Sequence, residues 1–179
     1  MFPYKLTIYS NNPVDMMRLD EGKNQVAIGR WEKDISAGGC HLNEKEKEAS
    51  HRTWSMNPKY LLTFKDQEFA WEEPVNLKIT LSIAEKQWKK LNPNTVSGMI
   101  GVYLLEKREG KLFYSPDIVV EQTSFLPVKT ITLETTVGGE RPILKGGYLI
   151  MPSTYESKVQ GAFILSVKCD RPFDLTPTK

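Results

Sequence analysis

A chain of 179 residues, 40% hydrophobic and 26% charged, is long enough to bury one substantial core and too short for several domains of ordinary size. Its 24 basic and 22 acidic side chains leave a net charge of +2, which gives no electrostatic case for nucleic acid or for strong attachment to an anionic membrane. Two widely spaced cysteines, and no apolar run as long as a membrane span or the core of a signal peptide, point to a reduced, cytoplasmic protein.

In residues 4–9, Tyr4, Leu6 and Ile8 alternate with Lys5, Thr7 and Tyr9, the period of a strand with one face on a core. Ser10-Asn11-Asn12-Pro13 ends it, because Asn accepts turn geometry and Pro cannot donate to a ladder. Residues 14–19 resume extended structure, residues 20–24 turn the chain, and residues 25–31 form the next strand. Residues 32–52 are polar, and Glu44-Lys45-Glu46-Lys47-Glu48 alternates in sign, as a solvated loop, a short surface helix or a switchable electrostatic loop would.

After the corner Trp54-Ser55-Met56-Asn57-Pro58 a strand runs to Phe64. Residues 75–83, VNLKITLSI, alternate most cleanly, with Val75, Leu77, Ile79, Leu81 and Ile83 on one face. Residues 85–95 are turn-rich, residues 99–107 are apolar and β-prone, and Glu109-Gly110 predicts a hairpin into residues 111–114. Residues 128–137 alternate again up to Gly138-Gly139, and residues 148–151 and 162–167 are the last strand candidates, separated by residues 152–161. No long segment carries a helical period. The expectation is an all-β chain of about eight strands, its antiparallel sheets packed as a sandwich.

Cys40, His41, His51 and Asn57 are the side-chain types of a thiol peptidase site. Inventory is not geometry, however: Cys40 follows two glycines at a turn and His51 sits in the polar insert, so burial of Cys40 is the expectation and the chain is read as having no catalytic residues of its own. Two Cys and two His without paired spacing are a poor zinc signal. Asp34, Asp66 and Asp117 are weak calcium candidates, since a site needs several carboxylates converging from loops and Asp favours turns anyway. Trp88, Lys89 and Lys90 combine an amphipathic ring with cations, which suits an interface, although Trp88 folding back on the sandwich is the plainer reading. Core or corner positions are expected for Trp31, Trp54 and Trp71.

Residues 6–19, LTIYSNNPVDMMRL, and residues 165–178, LSVKCDRPFDLTPT, share one pattern: Leu, hydroxyl, β-branched, any, small, polar, any, Pro, apolar, Asp, apolar. The first copy is therefore either an opening strand or the end of a preceding similar domain, with the main domain taken as residues 25–179.

Two separated stretches carry a family resemblance. GRWEKDISAGGC at residues 29–40, followed by WSMNPKYLLTF at residues 54–64, resembles the opening of calpain domain III. GGYLIMPSTYESKVQGAFILSVKCDRP at residues 146–172 is similar to its close. The matching positions are Gly29, Trp31, Gly38, Gly39, Cys40, Trp54, Asn57, Pro58, Tyr60, Pro152, Ser153, Thr154, Tyr155, Gly161 and Phe163.

The resemblance implies a C2-like antiparallel β-sandwich that carries no peptidase chemistry and sits beside the papain-like core of a calpain-type cysteine peptidase. It implies a regulatory or scaffolding role, with the protease core, an adjacent C2-like domain or other proteins as partners. The terminal echo fits calpains with tandem C2-like domains, of the PalB or calpain-seven-like type, or calpain-like proteins of protists. An autonomous calcium- or phospholipid-binding C2-like module and, more remotely, a self-contained thiol peptidase are the alternatives. The chain departs from the family in Lys59, where Gln is usual, in the long charged insert at residues 41–53, and in lacking a dense acidic run. Glu68, Glu72 and Glu73 come nearest to such a run.

Overall fold

Along Val75–Ile83 every second side chain is apolar, and a pleated strand turns these to one side. In the computed structural model that side is dry: Val75, Leu77, Ile79, Leu81 and Ile83 are buried, while Asn76 and Lys78 are exposed. The structure describes residues 23–43, 51–65, 73–84, 98–108, 115–139, 143–144 and 146–178. The expected strands at residues 4–9 and 14–19, the hairpin at residues 109–114, Asp66, Trp71, and the trio Trp88, Lys89 and Lys90 lie outside these residues.

Among the described residues the strands are β1 (Asn24–Trp31), β2 (Lys59–Phe64), β3 (Val75–Ile83), β4 (Ile100–Glu106), β5 (Val119–Gln122), β6 (Thr130–Val137), β7 (Tyr148–Thr154), β8 (Gly161–Cys169) and β9 (Phe173–Thr178). They form two antiparallel sheets, ordered β1-β8-β3-β6 and β5-β4-β7-β2-β9. The all-β sandwich expected from the alternating segments is the fold that forms. No helix among the described residues is long and apolar enough to cross a membrane.

The main core lies between the sheets, built from the inner faces of β3, β6 and β8 against β2, β4 and β7. A second core forms on the outer side of the five-stranded sheet. There Cys40, Trp54 and Ile118 cover Tyr103 and Leu105 of β4 and Leu149 and Met151 of β7. Both faces of β4 and β7 are consequently buried, which is why these strands read as continuous apolar runs.

Three features correct the sequence expectation. First, β7 continues through Pro152 to Thr154. Tyr155 N–H donates to Met99 C=O at 3.0 Å, which puts the odd-numbered backbone groups of this strand toward β4 and turns Pro152 toward β2. Pairing with β2 has already ended at Ile150, so the missing N–H of Pro152 breaks no ladder bond. The other two are the short β5 and the polar β9, which were not anticipated as strands. β8 leads through a corner at Asp170, Arg171 and Pro172 into β9, so the chain crosses from one sheet to the other there.

At that side of the sandwich the Gln25 side chain joins the sheets. Its Nε2 donates to Phe173 C=O, and its Oε1 accepts from Leu175 N–H at 3.0 Å.

Candidate functional site

The segments that carry the sequence motif meet at one buried junction beneath the second core, and Asn57 is its centre. The short 3-10 turn Trp54–Met56 delivers it, with Asn57 N–H donating to Trp54 C=O at 3.2 Å. Pro58 holds the preceding residue out of the helical region, and Asn57 is extended with φ −53° and ψ 149°. Its side chain then points inward. Nδ2 lies 2.8 Å from Gly39 C=O, 2.9 Å from Trp54 C=O and 3.2 Å from Ser153 Oγ, while Oδ1 accepts from Gly38 N–H at 3.1 Å. One amide thus meets the buried backbone of two chain segments and a buried hydroxyl of a third.

The neighbours of Asn57 tighten the same node. Thr53 Oγ1 donates to Gly38 C=O at 2.7 Å, Cys40 N–H to Tyr155 C=O at 3.1 Å, and Tyr155 OH to Leu42 C=O at 3.2 Å. Glycine is needed at two positions. A Cβ on Gly38 would strike Thr53 C=O, and Gly39 has φ +75° with Ser157 N only 2.6 Å from where a Cβ would stand. The Lys59 ammonium donates to Ser55 C=O at 2.5 Å and Asn57 C=O at 3.1 Å, so the departure from Gln places a cation on the carbonyls of the 3-10 turn. Desolvation holds that ammonium below the usual lysine range.

The two halves of the motif are direct partners although they are remote in sequence. Gly29 is paired with Phe163 and Trp31 with Gly161 in the β1–β8 ladder, and Tyr60 with Ile150 between β2 and β7. Trp31 packs on Phe163 with ring centroids 4.6 Å apart and donates Nε1–H to Pro152 C=O at 3.1 Å. Ser153 and Thr154 are fully buried, and Thr154 Oγ1 donates to Glu156 C=O at 2.8 Å. Trp54 is fully buried against Tyr103, edge to face at 5.5 Å.

The thiol, imidazole and amide named by the sequence are held by other bonds. Burial pushes the Cys40 thiol up to about 11, the opposite of the depressed value a nucleophilic thiolate requires. His41 Nδ1 is 2.9 Å from the Tyr103 hydroxyl. Burial, and then the charge of His51, lower the His41 pKa to about 4. His51 itself is exposed. The Asn57 amide, which in a thiol peptidase would orient the imidazole, is committed to the junction.

Of the calcium candidates, Asp34 is an exposed residue with φ 61° in the turn where the amides of Ile35, Ser36 and Ala37 converge on Glu32 C=O. The carboxylate of Asp117 is held by Ser115 Oγ and by Arg108 Nη1 at 2.7 Å, and these hydrogen bonds lower its pKa. Among the described residues no three Asp, Glu, His or Cys side chains converge on a metal position.

Thr53 and Tyr103 are the members of the node that the sequence did not point to. Thr53 looked like the last residue of the insert, and Tyr103 sits in an apolar run whose two faces cannot be told apart by alternation.

No curated protein matches the chain. The profile of calpain large subunit, domain III, matches residues 27–167, which takes in both ends of the junction. The chain belongs to the calpain large subunit domain III family, a non-catalytic domain of calpains.

Proposed function

We propose that this chain is a regulatory and scaffolding module of a calpain-like cysteine endopeptidase, and that it positions the protease core by packing on that core or on an adjacent C2-like domain. The observation that carries the reading is the mounting of the charged insert. Its first residues are fixed by the Cys40 and Leu42 backbone bonds to Tyr155, with Asn43 buried, and its last by Thr53 on Gly38 and by the buried Trp54. Residues 44–50 lie outside the described residues; a sequence of alternating charge whose flanks are held in a buried node suits partner selection by charge complementarity more than catalysis. The reading carries with it a cytoplasmic setting, in which the unbridged thiols Cys40 and Cys169 stay reduced.

The test is calorimetric titration of this chain against the separately expressed protease core of its parent. Reversal of Glu44, Glu46 and Glu48 to Lys is expected to weaken association by about tenfold, roughly 1.4 kcal/mol, and to change its salt dependence. Equal affinity of the reversed and native chains would count against the insert as the contact. Calcium-dependent co-sedimentation with anionic liposomes, if seen without any affinity for the core, would replace the scaffold reading with that of an autonomous lipid-binding module.

A further inference from the structure

The outer sides of the two sheets are finished differently. The second core covers the five-stranded sheet. On the four-stranded sheet the outward side chains are the even-numbered ones of β1, β8, β3 and β6, set in rows by the ladders. One row runs Ile28, Ile164, Ser82, Thr130, and the next Val26, Ser166, Thr80, Thr132. Val26 is 63% exposed, Ile28 79% and Ile164 40%, so apolar side chains project from the β1–β8 half of this face.

The hydroxyls of the other half bond to one another. Thr80 and Thr132 are 3.1 Å apart and Ser82 and Thr130 3.0 Å, so a partner laid over them strips water from groups that already have a bond. Cations stand at both ends of the apolar strip. Arg30, paired with Ala162, is at one end, and Lys168, paired with Asn24 and with Lys78, is at the other. The extended backbone from Asn24 to Arg30 covers about 20 Å. Each end opens into a cleft, of about 530 Å³ beside Arg30 and Ala162 and about 570 Å³ beside Lys78 and Lys168.

The charges select the partner. Lys78 reaches Glu134 at 2.6 Å, but Lys168 forms no ion pair among the described residues, and lysines directly opposite on neighbouring strands repel. Among the described residues of these four strands, Arg30, Lys78 and Lys168 face outward against Glu134 alone. A second copy docked on the same face would set these cations against themselves. A bilayer is a poorer fit, because the apolar side chains sit in mid-strand and would carry the hydroxyl rows into the lipid with them.

We propose that this face is a docking site for an acidic amphipathic helix of a partner protein. Its apolar stripe lies on Val26, Ile28 and Ile164, and its carboxylates meet Lys168 and Lys78 at one end and Arg30 at the other. A helix laid on a sheet is a stable way to cover such a face, and about 13 residues at 1.5 Å each span the strip. The assignment goes beyond the scaffold reading and does not depend on it, since the helix is defined by its own chemistry.

The experiment titrates the full chain with a synthetic peptide of about 14 residues, Leu at every third or fourth position with Glu and Ala between, locked helical by side-chain lactams. Calorimetry is expected to show binding at least about tenfold tighter than for the same peptide with Lys in place of Glu. Backbone amide NMR shifts are expected at Val26, Ile28, Ile164 and Lys168. Ile28→Ser and Lys168→Glu, both at exposed positions, should each weaken binding about tenfold with the circular dichroism spectrum unchanged.

No binding, equal affinity for the two peptides, or shifts confined to the five-stranded sheet overturns the proposal. So does sedimentation with phosphatidylserine vesicles, or self-association, that Ile28→Ser abolishes in a chain indifferent to the acidic peptide, since these assign the face to a membrane or to a second copy.

Discussion

Asn57 shows how one side chain replaces a stretch of secondary structure. Its amide is the only described partner of Gly38 N–H in the junction and reaches Gly39 C=O and Ser153 Oγ as well, all of them buried. Asn57→Ala is expected to lower unfolding free energy by about 2–4 kcal/mol, because a buried polar group left without a partner costs about 1–3 kcal/mol. Asn57→Asp should be no milder, since it keeps the acceptor for Gly38 but turns an oxygen toward the carbonyls of Gly39 and Trp54. Urea midpoints at unchanged slope would measure both.

His41 gives the same scale a pH signature. Its folded pKa of about 4 lies below the ordinary value of 6.5, so between the two the unfolded chain holds a proton that the folded chain does not. The contribution is therefore present above about 6.5 and is lost as the pH falls toward 4. In His41→Phe, urea midpoints between those limits should fall less steeply with acid than in the native chain; parallel pH profiles would show that His41 is not the source.

Along β3 the alternation of faces becomes an alternation of energies. Ile79 is fully buried between the sheets, and Ile79→Ala is expected to cost about 2–5 kcal/mol. Thr80 faces outward, where its hydroxyl pairs with Thr132 at 3.1 Å, and Thr80→Ala should cost under about 1 kcal/mol. Thermal or urea unfolding of the two variants reads the contrast directly.

That contrast explains what was legible beforehand. β3 could be bounded to the residue because one face is dry and the other wet, and Thr130–Val137 could be placed for the same reason. β4 was recognisable as a strand, but its IGVYLLE run gave no sign that Tyr103 and Leu105 face a second core, because coverage of both faces erases the period. β5 is four residues long, and β9, FDLTPT, carries a Pro and three polar residues; pairing with β4 and with the remote β2, not a local pattern, makes them extended. The motif residues themselves were visible in sequence. The node was not, since Asn57 and Ser153 meet across 96 positions, a distance that no local pattern encodes.

At the scale of the molecule, spatial neighbours are far apart in the chain: β1 pairs with β8, and β2 with β9. Loop closure must precede the gain from such contacts, so folding on a millisecond-to-second scale is expected, measurable by stopped-flow Trp fluorescence. The two cores lie on opposite sides of the five-stranded sheet. Ile79→Val in one and Cys40→Ala in the other should therefore add to within about 0.5 kcal/mol in equilibrium unfolding. A larger discrepancy would mean that β4 and β7 transmit strain between the layers.

The Gln25 bridge sets how the sandwich meets mechanical tension. It fixes the start of β1 beside Phe173, at the beginning of β9, whereas the end of β9 lies beside Lys59 at the far end of the sheet. A pull between Asn24 and Thr178 therefore runs along the strands. It loads the β1–β8 and β2–β9 ladders in shear, where the hydrogen bonds share the force, instead of peeling them one at a time. Gln25, bonded from β1 to the backbone of Phe173 and Leu175, ties the two sheets together where such a force would enter.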